Sequence, residues 1–282
     1  MPDFSDILLT VDYDRTLTAP DSTVPQRNLE AIQYFMDNGG LFTVNTGRSL
    51  PMARPLLERL PFNAPLLLYN GSAAYENGQL INLRPIEMDM GETLRKVAEA
   101  FPDLTVELQG VHAHVNFKKD AIWEKFVKKQ GADFAYAKFG DDLGPFLKFA
   151  VYGPFRDSAV NYLFQEIPAD MARIDELHRW LEETFGDQIQ VFRSGARFVD
   201  VHTRGVSKDL AAQWLKQRTG RKWMVCVGDA ENDAPMLEGA DLAYCPADSA
   251  VAKRFENVCP CSEGAVADVI YKKIPDFLKE MS

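Results

Sequence analysis

Ile7-Leu8-Leu9-Thr10-Val11-Asp12-Tyr13-Asp14 is the stretch that decides how the chain is read. Its first five residues are apolar or β-branched, run without a charged interruption, and stop at two acids. The run is too short for a helix and shows no polar alternation. It predicts a strand buried on both faces, the condition of a strand inside a parallel sheet. Alternation along the extended chain puts Asp12 and Asp14 on one side, with their carboxylates converging. Two such charges repel unless a cation or a shared proton lies between them. Open α/β sheets bind ligands at the carboxyl ends of their strands, which is where the pair falls. On the pair alone, solvated turn aspartates fit as well.

Outward from this strand, residues 24–38 read as an amphipathic helix stopped by Gly39-Gly40. A strand over 41–44 follows, then a helix from an N-cap at Ser49 to about residue 59, and a strand over 64–69. Asn77-Gly78 marks a hairpin within 75–83. Strand–helix–strand–helix–strand order predicts a parallel sheet with covering helices. The rhythm changes over 85–202. Helices at 91–101, 120–129 and 172–185 alternate with paired strands, 105–108 with 112–117 and 189–193 with 197–202, which predicts an α+β unit. After Gly205 the first rhythm returns: a helix over 207–218, a strand over 223–227, a helix from Glu231, a strand over 241–245 and a C-terminal helix. The predicted fold class is α/β, a Rossmann-like parallel-sheet core formed by 1–84 and 203–282 with an α+β domain, 85–202, inserted between its parts.

Of 282 residues, 46% are hydrophobic and 26% charged, as in a soluble globular protein. Acids outnumber bases 41 to 31, for a net charge of −10, and the insert and the core are each acidic. Such a chain lacks the basic footprint of a nucleic-acid binder. No apolar run approaches the ~20 residues of a membrane span, and the start has no secretory pattern, so neither nucleic acid nor membrane is expected as a partner. Cys226, Cys245, Cys259 and Cys261 follow no common zinc spacing and read as reduced thiols of a cytoplasmic protein.

A second acidic cluster, Gly228-Asp229-Ala230-Glu231-Asn232-Asp233, follows the strand at 223–227. Asp229 could be an ordinary N-cap, and Asp233 a first-turn partner of the helix dipole. Yet Asp12, Asp14 and Asp229 all stand at the carboxyl ends of parallel strands, on one edge of the sheet. An oxygen-rich site of that kind suits Mg²⁺ shared with a phosphate. Thr46, in Asn45-Thr46-Gly47-Arg48, offers a hydroxyl and a helix N-terminus to an anion. Lys208, after Gly205-Val206-Ser207, offers a cation to a phosphate or to Asp12.

In this order, Asp12-x-Asp14-x-Thr16, Thr46, Lys208 and Gly228-Asp229-x-x-Asn232-Asp233 resemble the four motifs of the haloacid dehalogenase-like (HAD) phosphatases. The insertion looks like the C2 cap of that superfamily. Asn70-Gly71 is similar to the Cof-type and sucrose-phosphate-phosphatase-like subgroup. The resemblance implies a Mg²⁺-dependent hydrolase acting on a small phosphorylated metabolite, a sugar phosphate, through an aspartyl-phosphate. Asp12 would be its nucleophile and Asp14 its general acid and base. Asp12, Asp14 (through its carbonyl), Asp229 and Asp233 would serve the metal. Thr46 and Lys208 would hold the phosphoryl group, with Gly47, Arg48, Asn70 and Asn232 completing the substrate site. A sugar phosphomutase with the same chemistry, or a fold-mate that only binds a phosphometabolite, are the alternatives. A phosphorelay receiver is excluded by the length and the insertion.

Arg15 departs from the family pattern, which has glycine there; it would be strained at positive φ. It reads either as an exposed arginine in a tolerated backbone or as a ligand for a substrate anion or a cap carboxylate. In the insert, His112 and His114 should share one strand face as surface or cleft groups. Lys148, Arg193 and Arg197 are expected to be solvated rather than to reach a sugar or a second anionic group, and Trp123, Phe149 and Trp180 to lie in the insert's core.

Overall fold

A computed structural model describes residues 3–144, 146–153 and 167–281. The chain divides into two compact units: one holds the chain to Gly47, Leu56–Ile81 and the chain from Ser207, the other Arg48–Pro55 and Asn82–Val206. Relative to the expected division at 84/85 and 202/203, residues 48–55 go with the second unit, and Arg48 with them.

The first unit is built on a five-stranded sheet, in the order Glu256–Val258, Leu242–Pro246, Trp223–Val227, Ile7–Val11, Leu41–Val44, with every pair parallel. The α/β class and parallel core expected from the sequence are therefore present. All five residues of Ile7–Val11 are buried, which is why the run carries no alternation. The helix Gln26–Asp37 buries Ala31, Ile32 and Phe35, and on another side Leu8, Met224 and Cys226 pack with Ala211, Leu215, Met236 and Leu237. Two expectations are corrected. The strand over 64–69 contracts to Leu66–Leu68, because Tyr69 and Asn70 take positive φ of 53° and 52° and end it. It pairs antiparallel with Ala73–Glu76, which pairs with Gln79–Ile81 across Asn77-Gly78, and meets the parallel sheet through the single bridge Asn45–Leu67. The helix expected from Glu231 starts at Ala234, with Asp233 as the residue before it. The strand Glu256–Val258 was not anticipated.

The second unit holds a six-stranded sheet, in the order Ile189–Gly195, Phe198–Thr203, Lys148–Tyr152, Thr105–Gln109, His114–Asn116, Phe134–Tyr136, antiparallel except for the last pair. The two expected strand pairs form, and the unanticipated Lys148–Tyr152 joins them. Helices Met90–Ala100 and Pro168–Phe185 cover one face, packing Leu94, Val97, Ile174 and Leu177 on Val106, Leu108, Phe149, Val151 and Val199. Trp123 and Phe149 are fully buried and Trp180 partly so, as expected.

The opposite face overturns the expectation of solvated charges. Glu107, Gln109, His114, Asn116, Lys148, Asp200 and His202 are all buried on it. Lys148 lies 3.1 Å from Asp200, and Arg197, wholly buried, lies 3.3 Å from Asp170. Arg193 remains partly exposed and pairs with Asp175. His112 falls in a bend before the strand and is exposed, so the two histidines do not share a face. His114 Nε2 is 2.7 Å from Ser49 Oγ, and its Nδ1 is 2.5 Å from Glu107 Oε1, close enough for an ion pair but without hydrogen-bond geometry. Trp123 Nε1–H donates to Glu107 Oε2 at 2.6 Å. A buried carboxylate requires such partners. All four cysteines are free thiols, and among the described residues no helix is long and apolar enough to cross a membrane.

Candidate active site

In the parallel ladder Val11 stands opposite both Val227 and Val44, so the residues that follow these three leave the sheet at one edge. The ladder runs one step further: Asp12 N–H donates to Val227 O and Asn45 N–H to Val11 O, each at 2.9 Å. Beyond Asp12 the chain turns at once. Leu17 N–H bonds Asp12 O at 3.2 Å, Thr18 N–H bonds Tyr13 O at 3.0 Å, and Arg15 takes φ 63°, ψ 7°.

Three carboxylates converge at this edge, those of Asp12, Asp229 and Asp233, each offering an oxygen within 4.8 Å of the others, and all three residues are buried. Asp14 is not among them. It is half-buried in the turn that follows, with φ −77° and ψ 122°, and its charge reaches Asp12. Asp12 and Asp229 stand at strand ends as expected. Asp233 completes the group because its Oδ2 accepts the N–H groups of Asp229 and Ala230, both at 3.1 Å, which folds the 229–233 turn onto the edge. Gly228 permits that fold: a Cβ there would lie 2.5 Å from the Asp233 Cβ.

Lys208 sits between two of the acids, its Nζ 2.5 Å from Asp12 Oδ1 and 2.6 Å from Asp233 Oδ1, with 2% of the side chain exposed. Ser207 caps its helix through the Leu210 N–H, and Asn45 Nδ2–H donates to Lys208 O at 2.8 Å. Thr46, buried, donates its N–H to Leu67 O and accepts from Asn70 N–H at 3.0 Å. Gly47 lies so close to Asn70 that a Cβ would stand 2.8 Å from Asn70 Oδ1. Asn232 is half-buried in the 229–233 turn, and Arg48 belongs to the other unit. Two contributors escaped the sequence reading. Thr16 Oγ1–H donates to Asp229 Oδ1 at 3.1 Å, a role its place in Asp-x-Asp-x-Thr could have suggested. Asn45, which anchors the lysine's helix, had only its place at a strand end to mark it.

The electrostatics follow from crowding. Burial pushes the Asp12 carboxyl well above the ordinary range against the pull of Lys208, and the charges of Asp233, Asp229 and Asp14 add to the rise. Burial and then Asp233 push Asp229 up to about 7. Burial works against the Lys208 charge, yet Asp12 and Asp233 hold it above the usual ammonium value. One ammonium among these acids leaves an excess of negative charge on hard oxygen donors, which a small divalent cation would neutralise. The residues present fit such an ion.

The family model described as haloacid dehalogenase-like hydrolase matches residues 9–270. The chain is 21% identical to the 5-amino-6-(5-phospho-D-ribitylamino)uracil phosphatase of Bacillus subtilis over 241 residues, 83% of this chain and 81% of that protein. Among solved structures, a haloacid dehalogenase-like hydrolase from Bacteroides thetaiotaomicron shares the fold with a TM-score of 0.78 at 20% identity, over 94% of this chain and 98% of that one. A HAD subclass IIB sugar phosphatase gives a TM-score of 0.74 at 16% identity, over 96% and 98% of the two chains.

Proposed function

Since the chain belongs to the haloacid dehalogenase-like hydrolase family, we propose that it is a phosphatase, a Mg²⁺-dependent hydrolase of small phosphate monoesters, with sugar phosphates as its substrate class. The observation that carries this reading is the buried Asp12–Lys208–Asp233 array with Asp229 beside it. Asp12, Asp229, Asp233 and the Asp14 carbonyl would hold Mg²⁺, which would offset the repulsion between an anionic nucleophile and an anionic ester.

An Asp12 oxygen attacks phosphorus, the ester P–O bond breaks, and the departing oxygen takes a proton from Asp14. Asp14 then accepts a proton from water as the water oxygen attacks phosphorus and the bond to Asp12 breaks, which releases phosphate and restores both acids. Lys208 pulls against the burial that favours a protonated Asp12, and Thr46 with the adjoining N–H groups orients the phosphoryl oxygens. Residues 85–202 act as the C2-type cap. The sugar phosphatase among the structural neighbours supports the substrate class. Inorganic phosphate release from an aryl phosphate and a panel of sugar phosphates, with Mg²⁺ and with a chelator, tests the proposal. Turnover should need the metal and vanish in Asp12→Asn; undiminished release by that variant would exclude the aspartyl-phosphate route.

A further inference from the structure

Arg15 occupies the turn between Asp14 and Thr16 with φ 63° and ψ 7°, a left-handed conformation that suits glycine or asparagine and that a long side chain adopts only at a cost. Strain of this kind gathers at ligand sites, where the surrounding structure enforces it. Here it is enforced from both sides. The Arg15 N–H donates to Thr18 Oγ1 at 3.1 Å, and the next residue, Thr16, is tied to Asp229. The residue is exposed, and among the described residues its guanidinium makes no hydrogen bond and no ion pair. Other arginines of this unit are committed, Arg27 to Asp268, Arg218 to Glu76 and Arg254 to Glu231 and Glu238. Arg15 nevertheless stands beside the acidic edge, between Asp14 and the Thr16 whose hydroxyl bonds Asp229 at 3.1 Å.

The cation at the centre of the edge is already shared. Lys208 is bonded to two carboxylates, so it has little charge to spare for an anionic group beyond the phosphoryl being transferred. A ligand with a second acid would find its complement in Arg15, whose planar fork matches a carboxylate or a phosphate through paired hydrogen bonds.

We propose that Arg15 is a specificity residue that selects phosphate monoesters bearing a second anionic group, a carboxylate or a further phosphate. The proposal rests on the phosphatase reading above. It accounts for an arginine held in a glycine conformation at the edge of an otherwise acidic site.

The test compares wild type with Arg15→Asn, since asparagine accepts left-handed φ and keeps the turn. Four substrates are used with Mg²⁺: 2-phosphoglycolate and fructose 1,6-bisphosphate carry a second acid, whereas glucose 6-phosphate and p-nitrophenyl phosphate do not. Wild type should favour at least one of the first two, and which one tells carboxylate from phosphate. The variant should lose about tenfold or more of kcat/KM on that substrate, mainly through KM, the scale of a lost charge-assisted hydrogen bond. On the other pair it should stay within about twofold. An equal loss on all four would place Arg15 on the transferred phosphoryl and overturn the proposal, as would no loss on any or no wild-type preference. Absence of phosphate release by wild type from all four would defeat the phosphatase reading, and this proposal with it.

Discussion

Asp229→Asn should make the metal-free protein more stable at neutral pH and deprive it of its response to Mg²⁺. Burial and the Asp233 charge lift the Asp229 carboxyl from 3.8 to about 7. The folded state therefore binds a proton more tightly than the unfolded chain does. That contribution is present in full below the unfolded value and is lost as pH rises through the folded one, so stability without metal should decline from about pH 4 to about pH 7. At 1.36 kcal/mol per pH unit the decline amounts to roughly 4 kcal/mol at most. Asparagine is neutral, nearly isosteric, and still offers Oδ1 to the Thr16 hydroxyl, which now bonds Asp229 at 3.1 Å. Removing the charge also relieves Asp12, whose proton affinity Asp229 raises, so both effects have the same sign.

Urea unfolding in a chelator at several pH values between 4 and 8 measures this directly. The two proteins should be similar near pH 4, and the variant should be the more stable near pH 8. With metal added the gap narrows: wild type should gain about 1.4 kcal/mol when Mg²⁺ is tenfold above its dissociation constant. The variant, lacking one of the proposed ligands, should gain little at the same concentration. If wild type and variant lose stability in parallel between pH 4 and 7, Asp229 is not the strained acid and the electrostatic account of the site is wrong.

Lys208→Met should destabilise the protein by about 3–5 kcal/mol in urea unfolding, because Asp12 and Asp233 would face each other without their shared ammonium. Mg²⁺ should restore part of that loss without restoring phosphate release, and a variant as stable as wild type would show that the pair is not coupled through the lysine. Gly47→Ala introduces a Cβ 2.8 Å from Asn70 Oδ1, and the displacement of the adjoining Thr46 loop should lower kcat/KM about tenfold while the melting temperature moves little. Unchanged kinetics would remove that loop from phosphoryl positioning.

The parts of the molecule that local sequence reveals are those in which local sequence is itself the cause. A strand buried on both faces must be an unbroken apolar run, so Ile7–Val11, Leu41–Val44 and Trp223–Val227 announce themselves. Their shared direction then brings Asp12 and Asp229 to one edge. Glu256–Val258, at the border of the sheet, buries only Val258 and so leaves no apolar run to recognise. The second unit fails for a different reason. Alternation tells which side chains share a face, but not whether that face meets water. Lys148 and Asp200 lie on strands paired through Phe149–Val201 and Ala150–Asp200, some fifty positions apart in the chain. Neither residue's neighbours in sequence show that a counter-charge will arrive. A charge is legible as buried only once its partner is known, and the partner is a property of strand pairing, which is why the polar face of this sheet emerges from the structure alone.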